Sequence, residues 1–192
     1  MRTFIVGTDT DVGKTYYGHL LMSEGKKVIK PIETGRNTFD NLGDSDCHKY
    51  AIGQSLPLTS VNRYFFTEPV SPHFASEIDG ESIDLDVLKS FISKDEDVYI
   101  ELAGGLLVPI LGHYTQLNLI KETANASVCL VIGNKLGCIN HGLMTLNILE
   151  REEIPVREVV INNMGKESTL CMINNIETIR TWIPNATQIR VI

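Results

Sequence analysis

The sequence predicts an α/β fold in which helices cover both faces of a mostly parallel central sheet. Short apolar runs that are typical of buried strands alternate along the chain with stretches of helical character. Such alternation builds βαβ units, whose strands lie parallel. A length of 192 residues, without a composition break or an internal repeat, fits one domain over residues 1–192.

The elements are predicted in chain order from apolar pattern and turn signals. We predict strands over Thr3–Val6, Lys27–Lys30, Val98–Leu102, Ser127–Ile132, Val156–Ile161 and Gln188–Ile192. We predict helices over Lys14–Ser23, Asp44–Ile52, Leu85–Ile92, Ile139–Glu150 and Glu167–Trp182. Residues 32–45 are predicted to form a loop, and residues 53–82 show no clear periodicity. In a parallel sheet, ligands bind at the carboxyl ends of the strands, so the loops that follow the strands are the places to search for a site.

Composition and charge exclude several classes of function. The net charge of −7 argues against nucleic acid as a partner, and no apolar run approaches the length of a membrane span. The first predicted strand begins by about residue 3, which leaves no room for a signal peptide. The four cysteines are scattered without a C-x-x-C pair, which favours free thiols in a reducing compartment. We therefore expect a cytoplasmic protein.

The segment Gly7-Thr8-Asp9-Thr10-Asp11-Val12-Gly13-Lys14-Thr15 is typical of a phosphate-binding loop. It lies between an apolar strand and a helix, where backbone N–H groups and the helix N-terminus can bind phosphate oxygens. Lys14 is expected to reach the terminal phosphates and the Thr15 hydroxyl to contact Mg²⁺. The loop predicts a fold of the P-loop NTPase type. Five residues separate Gly7 from Gly13, where four are usual, so the loop is expected to have its own shape.

Charged residues close two of the other predicted strands. Lys30 precedes Pro31 and is expected to point into the same crevice as Lys14, although a solvated surface lysine is an equal alternative. Glu101 ends another strand and is followed by Gly104 and Gly105, a pattern that favours a Mg²⁺ contact over a residue that merely caps the next turn.

Three further polar residues carry weaker signals. Asp46 is a possible metal ligand, although acidic residues are also common at helix starts. Asn140 begins a predicted helix, where it could bind a polar group of a substrate or cap the helix. Asn162 ends a strand, and its amide could bind an adenine edge or belong to a turn.

Five blocks of the sequence, in order, resemble those of dethiobiotin synthetases, ATP-dependent enzymes that precede the final step of biotin synthesis. The blocks are Gly7–Thr15, Lys30–Gly35, Glu68–His73, Glu101–Leu106 and Lys135–His141. The resemblance covers residues 1 to about 163. It implies that ATP is a co-substrate, that Mg²⁺ is the cofactor and that the protein forms a homodimer. It also implies the reaction, in which an amine of 7,8-diaminopelargonic acid captures CO₂ as a carbamate, ATP phosphorylates the carbamate, and the second amine closes the ring.

The resemblance also implies a role for particular residues. It implies catalytic roles for Lys30, Lys14 and Thr10. It implies nucleotide contacts at Asp11, Val12, Gly13, Lys14, Thr15, Tyr16, Asp46, Glu101, Ala103, Gly104 and Asn162. Thr15, Asp46 and Glu101 are the implied metal contacts, and Thr34, Gly105, Leu136 and Asn140 are the implied substrate contacts, with Asn140 near the subunit interface.

Two departures from the family pattern lead to expectations. Leu102 replaces a glycine of the family's Glu-Gly-Ala-Gly-Gly loop, which is expected to restrict the backbone beside Glu101. The family usually continues beyond the last strand into a segment that contacts the base, so a chain that ends at Ile192 is expected to bind ATP more weakly or to accept other nucleotides.

Two other functions remain open from the sequence. One is a related P-loop synthetase or amidase-type activating enzyme for another carboxylate, against which the segment from Lys30 to Thr34 argues. The other is a nucleotide-dependent switch ATPase. Asp9 stands where partition-type ATPases carry a second lysine, which argues against the switch.

Overall fold

A computed structural model of the chain describes residues 1–35, 45–166, 169–184 and 187–192. The strands within these ranges are β1 (Arg2–Gly7), β2 (Val28–Ile29), β3 (Ile32–Glu33), β4 (Tyr64–Phe65), β5 (Val98–Gly105), β6 (Pro109–Leu111), β7 (Tyr114–Thr115), β8 (Ala126–Gly133), β9 (Val156–Asn162) and β10 (Gln188–Val191). The α-helices are α1 (Lys14–Ser23), α2 (Asp46–Gly53), α3 (Pro72–Asp79), α4 (Leu85–Ser93), α5 (Gln116–Lys121), α6 (Cys138–Arg151) and α7 (Leu170–Trp182).

Six of the strands form the central sheet, in the order β10-β9-β8-β1-β5-β2, and every neighbouring pair is parallel. The strand β1 lies inside the sheet between β8 and β5, where Phe4 is in register with Ile100 and Val128. The run Phe4-Ile5-Val6 is completely buried, as expected of a strand that is covered on both faces. The carboxyl end of β1 therefore delivers the phosphate loop to the middle of one edge of the sheet.

Helices cover both faces of this sheet. On one face, α1 and α2 pack through buried residues such as Tyr17 and Tyr50. On the other face, α4, α6 and α7 contribute Leu88, Leu149 and Ile179 to a larger cluster. The predicted α/β class with a parallel sheet is confirmed.

The long elements predicted from sequence agree with the structure to within a few residues. The helix α1 has the predicted bounds. The helix α4 begins where its pattern indicates, because the Asp84 carboxylate accepts hydrogen bonds from the N–H groups of Asp86 and Val87, at 2.9 and 3.0 Å. Asp44, the predicted start of α2, and Glu167, the predicted start of α7, lie outside the described residues.

The predicted loop over residues 32–45 is wrong at its start. Ile32 and Glu33 form β3, which pairs in parallel with β4. The pairing partner is about thirty residues away in the chain, so the local pattern carries no signal for it. Residues 36–44 of that predicted loop lie outside the described residues. Across the described part of the chain, none of the helices has the length and apolar character to cross a membrane.

Candidate active site

The phosphate loop connects β1 to α1 and closes around its own lysine. Lys14 is largely buried, and its ammonium donates a hydrogen bond of 2.9 Å to the backbone carbonyl of Asp9. A Cβ at Gly7 would lie 2.9 Å from the Lys14 nitrogen and 2.6 Å from that same carbonyl oxygen, so only glycine fits there. The sequence thus brings a cation and a row of backbone N–H groups to the start of α1.

Asn162 holds the phosphate loop in place through hydrogen bonds of its side-chain amide. Its amide nitrogen donates to the carbonyl of Val12 at 3.0 Å, and its amide oxygen accepts from the N–H of Met164 at 2.8 Å. Gly13 adopts a left-handed φ of 97°, and a Cβ at that position would overlap the Asn162 amide. The side chain predicted to contact the nucleotide base therefore also supports the phosphate loop.

Four predicted residues converge at the mouth of this loop. The Thr15 hydroxyl lies 3.0 Å from Asp46 Oδ2 and 2.8 Å from Glu101 Oε1. The Lys30 ammonium lies 2.6 Å from Asp46 Oδ2 and 3.1 Å from Glu101 Oε1. Lys30 is therefore part of the crevice and not a solvated surface lysine, and Glu101 faces the loop. We refer to Thr15, Lys30, Asp46 and Glu101 as the carboxylate cluster.

The charges in the carboxylate cluster stabilise one another. Burial alone would lower the pKa of Lys30, but the negative charges of Glu101, Glu33 and Asp46 outweigh burial and raise that pKa above its ordinary value. Burial alone would raise the pKa of Asp46, but the Lys30 ammonium and hydrogen bonds from Lys30 and Thr15 hold it below its ordinary value. Lys30 is thus a cation and Asp46 an anion at neutral pH.

Lys14 differs from Lys30 in its electrostatic surroundings. Burial lowers the pKa of Lys14 below its ordinary value; Glu101 opposes this shift, and the positive charge of Lys30 adds to it. Two lysine side chains therefore face the same cleft, and Lys14 lacks a carboxylate within ion-pair distance among the described residues. An anion bound between them would stabilise the charged form of Lys14.

Two residues that sequence reasoning missed hold the cluster in place. The Glu33 carboxylate accepts from the N–H groups of Asp46 and Cys47, at 2.9 and 2.8 Å, and so anchors the start of α2. The hydroxyl of Tyr50 donates to the Glu101 carboxylate. Neither residue could be identified from a local motif, because both act through contacts with distant segments.

The cluster opens into a cleft of about 680 Å³, a size that suits a small-molecule site. Its lining contains most of the predicted site residues, namely Thr10, Asp11, Gly13, Lys14, Thr15, Lys30, Thr34, Asp46, Glu101, Ala103 and Gly104. The segment Pro69-Val70-Ser71-Pro72 forms another wall of the cleft. It belongs to one of the blocks that carry the family resemblance, although none of its residues was among the predicted contacts.

Six predicted contacts lie outside the lining, among them Asn162, which supports the phosphate loop through Val12. Val12 is buried beneath the loop, and Tyr16 is exposed on α1. Gly105 is paired with Gly7 in the sheet, beside the loop. Leu136 is exposed by 88%, and Asn140 lies exposed near the start of α6.

Leu102 and the backbone that follows it form part of the cleft. The side chain of Leu102 is buried, with an exposed fraction of 4%, and it packs in the core beneath the sheet edge. Gly104, two residues later, adopts a left-handed φ of 87°. The carbonyl of Ala103 accepts a hydrogen bond of 3.0 Å from the buried amide of Gln116.

The chain is similar over nearly its whole length to proteins of known activity. A family model described as an AAA domain matches residues 1–192. The ATP-dependent dethiobiotin synthetase of Legionella pneumophila strain Lens is 37% identical, over 93% of this chain and 87% of the relative. The ATP-dependent dethiobiotin synthetase of Lysinibacillus sphaericus strain C3-41 is 38% identical, over 94% of this chain and 82% of the relative.

A solved structure supports the fold independently. A nucleotide-binding protein from Archaeoglobus fulgidus, solved in complex with ADP, superposes with a TM-score of 0.50 at 15% identity, over 100% of this chain and 81% of the other. At that identity, the likeness concerns the fold alone.

Proposed function

The chain belongs to the ATP-dependent dethiobiotin synthetase family, and we propose that it converts 7,8-diaminopelargonic acid, CO₂ and ATP into dethiobiotin, ADP and phosphate. One amine of the substrate takes up CO₂ and becomes a carbamate. The carbamate oxygen attacks the γ-phosphorus of ATP, and ADP leaves. The second amine then attacks the carbonyl of the mixed anhydride, expels phosphate and closes the cyclic urea.

One observation carries this proposal. At the mouth of a phosphate loop, the Thr15 hydroxyl and the Lys30 ammonium each lie within 3.1 Å of both carboxylates, those of Asp46 and Glu101. The carbamate and the γ-phosphoryl group are both anions, so their reaction requires positive charge between them and no protein nucleophile. Lys14 and Lys30, which face one cleft, match this requirement.

The oxygen donors of the cluster fit a magnesium ion. Mg²⁺ prefers one or two carboxylates together with hydroxyl, water and phosphate oxygens, and Thr15, Asp46 and Glu101 are donors of these kinds. When bound, Mg²⁺ would supply charge neutralisation for the phosphate oxygens. Asp46 and Glu101, which are the ion-pair partners of Lys30 in this structure, would then hold the ion instead of the Lys30 ammonium. Lys30 could then hold the carbamate, which is the role that we propose for it.

The other chain residues bind and orient the reactants. Lys14 and the N–H groups of residues 11–16 are proposed to hold the β- and γ-phosphates, with Thr10 beside the transferred group. Ala103 and Gly104 are proposed to contact the nucleotide, and Asn162 to contact the base through the amide N–H that is not bound to Val12. Removal of one preorganised contact to the transferred charge typically costs about 100-fold or more in rate.

The diamine is proposed to lie along the wall that contains Thr34 and the Pro69–Pro72 segment. Gly105, which is paired with Gly7 beside the phosphate loop, is also proposed to contact it. Leu136 and Asn140 lie exposed near the start of α6, so we propose that they contact substrate across a homodimer interface. Sedimentation of the protein at micromolar concentration tests the dimer. A monomer under conditions that support full activity would argue against this part of the proposal.

We propose that residues 1–192 form a single catalytic domain, which carries out this reaction. All four cysteines are free, which supports a reducing, cytoplasmic location. The acidic net charge supports small molecules, and not nucleic acid, as the binding partners.

The direct test is formation of dethiobiotin from the diamine, bicarbonate, ATP and Mg²⁺, measured by mass spectrometry for the native chain, Lys30→Ala and Lys27→Ala. Lys27 forms a partly exposed ion pair with Asp95 at 2.8 Å and serves as the matched control. We expect product from the native chain and from the control, and loss of at least about 100-fold in Lys30→Ala. Product from all three variants would remove Lys30 from the mechanism. Absence of product in the native chain despite ATP binding would favour a synthetase for another carboxylate.

A further inference from the structure

Tyr50 lies beneath the carboxylate cluster, and it is not one of the residues that are proposed to contact the metal. Its side chain is completely buried on the inner face of α2. Its hydroxyl donates to Glu101 and lies 3.2 Å from the backbone carbonyl of Thr15. Tyr50 therefore contacts two of the residues that are proposed to hold the metal without entering the cleft itself.

The two oxygens of Glu101 have different partners. Oε1 lies 2.8 Å from the Thr15 hydroxyl and 3.1 Å from the Lys30 ammonium, at the cleft. Oε2 points away from these groups and accepts from Tyr50. Because one oxygen is fixed to Tyr50, the carboxylate cannot rotate about its last bond without losing a buried hydrogen bond. The orientation of Oε1 toward the cleft follows from this restraint.

The same residue connects two elements that each supply an acidic group. Asp46 and Tyr50 are four residues apart on α2 and so lie on one side of that helix. Glu101 lies on β5. The Tyr50 hydroxyl thus ties the helix that carries Asp46 to the strand that carries Glu101, while Glu33 fixes the N-terminus of the same helix.

Space for this hydroxyl is provided by a glycine of α1. A Cβ at Gly18 would overlap the Tyr50 hydroxyl and lie 2.7 Å from the ring carbon that bears it. Any other residue at position 18 would force the tyrosine ring to move. Three elements, α1, α2 and β5, therefore define the position of one hydroxyl group.

We infer that Tyr50 is a positioning residue, which orients Glu101 and α2 so that the Thr15, Asp46 and Glu101 oxygens converge on one divalent cation. This inference rests on the proposed role of Glu101 as a metal contact. Side chains that hydrogen-bond to metal ligands typically change metal affinity by about 10- to 100-fold when they are removed. Loss of the Tyr50 donor has a second, opposite effect, because a carboxylate with one hydrogen bond fewer attracts a cation more strongly. Orientation dominates in this inference, since Glu101 is only 2% exposed and water cannot easily replace the hydroxyl.

The test compares two buried tyrosines with the same chemistry. Tyr17 is also buried, and its hydroxyl donates to the buried carboxylate of Glu158, which lies outside the carboxylate cluster. Tyr50→Phe and Tyr17→Phe each remove one such hydrogen bond. Binding of Mn²⁺ in the presence of a non-hydrolysable ATP analogue is measured by electron paramagnetic resonance, which requires no turnover. We expect Tyr50→Phe to weaken Mn²⁺ binding about tenfold and Tyr17→Phe to leave it unchanged, with similar losses in melting temperature.

Two further variants separate positioning from general structure. In a Glu101→Gln background, Tyr50→Phe should produce little further loss of Mn²⁺ affinity, because its effect passes through Glu101. Gly18→Ala keeps the tyrosine but displaces its hydroxyl, and it should weaken Mn²⁺ binding as Tyr50→Phe does. If Tyr50→Phe does not fold, Gly18→Ala decides alone.

The inference is overturned if Tyr50→Phe, or Gly18→Ala where Tyr50→Phe does not fold, binds Mn²⁺ as tightly as the native chain or more tightly. It is also overturned if Tyr17→Phe weakens Mn²⁺ binding by the same amount. Steady-state kinetics give a second readout. The Mg²⁺ concentration for half-maximal rate should rise in Tyr50→Phe, while the KM for the diamine at saturating Mg²⁺ should stay the same. If the native chain makes no dethiobiotin but the Mn²⁺ results hold, the proposed reaction fails and the role of Tyr50 stands.

Discussion

Removal of the Lys30 charge should destabilise the protein in a way that a divalent cation can reverse. In Lys30→Met, Asp46 and Glu101 lose their shared cation, although the Thr15 hydroxyl still lies within 3.0 Å of both carboxylates. Removal of one partner from a buried ion pair costs about 3–5 kcal/mol. We take about 3 kcal/mol, the low end of that range, because the Asp46 side chain is 33% exposed and water screens its charge.

This loss should appear as a fall in melting temperature of roughly 6–12 °C, at about 2–4 °C per kcal/mol for a domain of this size. Mg²⁺ without nucleotide should raise the melting temperature of Lys30→Met more than that of the native chain, because Lys30 no longer competes for the same two carboxylates. At a concentration 100 times the dissociation constant, a bound ion contributes about 2.7 kcal/mol, which would restore most of the loss. Thermal denaturation over a Mg²⁺ series measures both effects.

Two comparisons make the reasoning refutable. Lys27→Met removes a partly exposed ion pair with Asp95 and should cost no more than about 1 kcal/mol. The deficit of Lys30→Met should also shrink as the pH falls below 3.8, the ordinary pKa of aspartate. Lys30 holds the pKa of Asp46 below that value in the native chain, so the native protein loses this stabilisation in acid. If Lys30→Met is as stable as Lys27→Met, or if Mg²⁺ stabilises it no more than the native chain, the account of the cluster is wrong.

Three other predictions concern the loop, the nucleotide and the strand beside it. The pKa of Lys14 is lowered in the free protein, so binding of ATP at high pH requires the uptake of a proton. The affinity for ATP, measured by calorimetry, should therefore fall as the pH rises toward 10.5, the ordinary pKa of lysine. Binding that does not change with pH over that interval would contradict this prediction. Gly13→Ala should lower the free energy of unfolding by about 1–3 kcal/mol because residue 13 has a left-handed φ. It should also weaken ATP binding by at least about tenfold, because the new Cβ overlaps Asn162. Gly25 also has a left-handed φ but no atom within 4 Å of a new Cβ, so the control Gly25→Ala should show only the loss of stability. Leu102→Gly should lower the free energy of unfolding by at least about 3 kcal/mol because the side chain is buried. Leu107 is exposed, so Leu107→Gly serves as a control that measures the backbone effect of a new glycine without the loss of a buried side chain.

The sequence predicted the parts of the site that are encoded locally. Lys14 and Thr15 follow from the loop motif, and Lys30 and Glu101 follow from the rule that ligands bind where parallel strands end. The structure brings all four side chains to one cleft. Each of these residues lies in, or next to, the element that positions it, so the local pattern indicated its place. For Lys30 the pattern left a solvated surface lysine as an equal alternative, which the structure decides.

The supporting residues could not be predicted, because their partners lie far away in the chain. Glu33 contacts α2 across a segment of thirteen residues, and Tyr50 contacts Glu101 across fifty-one. The pairing of β3 with β4, and the order of the strands in the sheet, depend in the same way on which segments meet after folding. A tyrosine on a short helix with several apolar neighbours has the same local pattern whether it fills the core or supports a metal ligand.

Leu102 shows why a departure from a family motif has to be judged in three dimensions. The sequence suggested that a leucine in place of glycine would restrict the backbone beside Glu101. In the structure, residue 102 belongs to the extended strand β5, where any residue can adopt the backbone conformation, and its side chain fills the core. The left-handed conformation occurs two residues later, at Gly104, where a Cβ would already lie 3.0 Å from Val108. The left-handed backbone conformation beside the cleft is therefore retained at Gly104. Leu102 contributes core packing that a glycine could not provide, so this departure from the family motif favours stability.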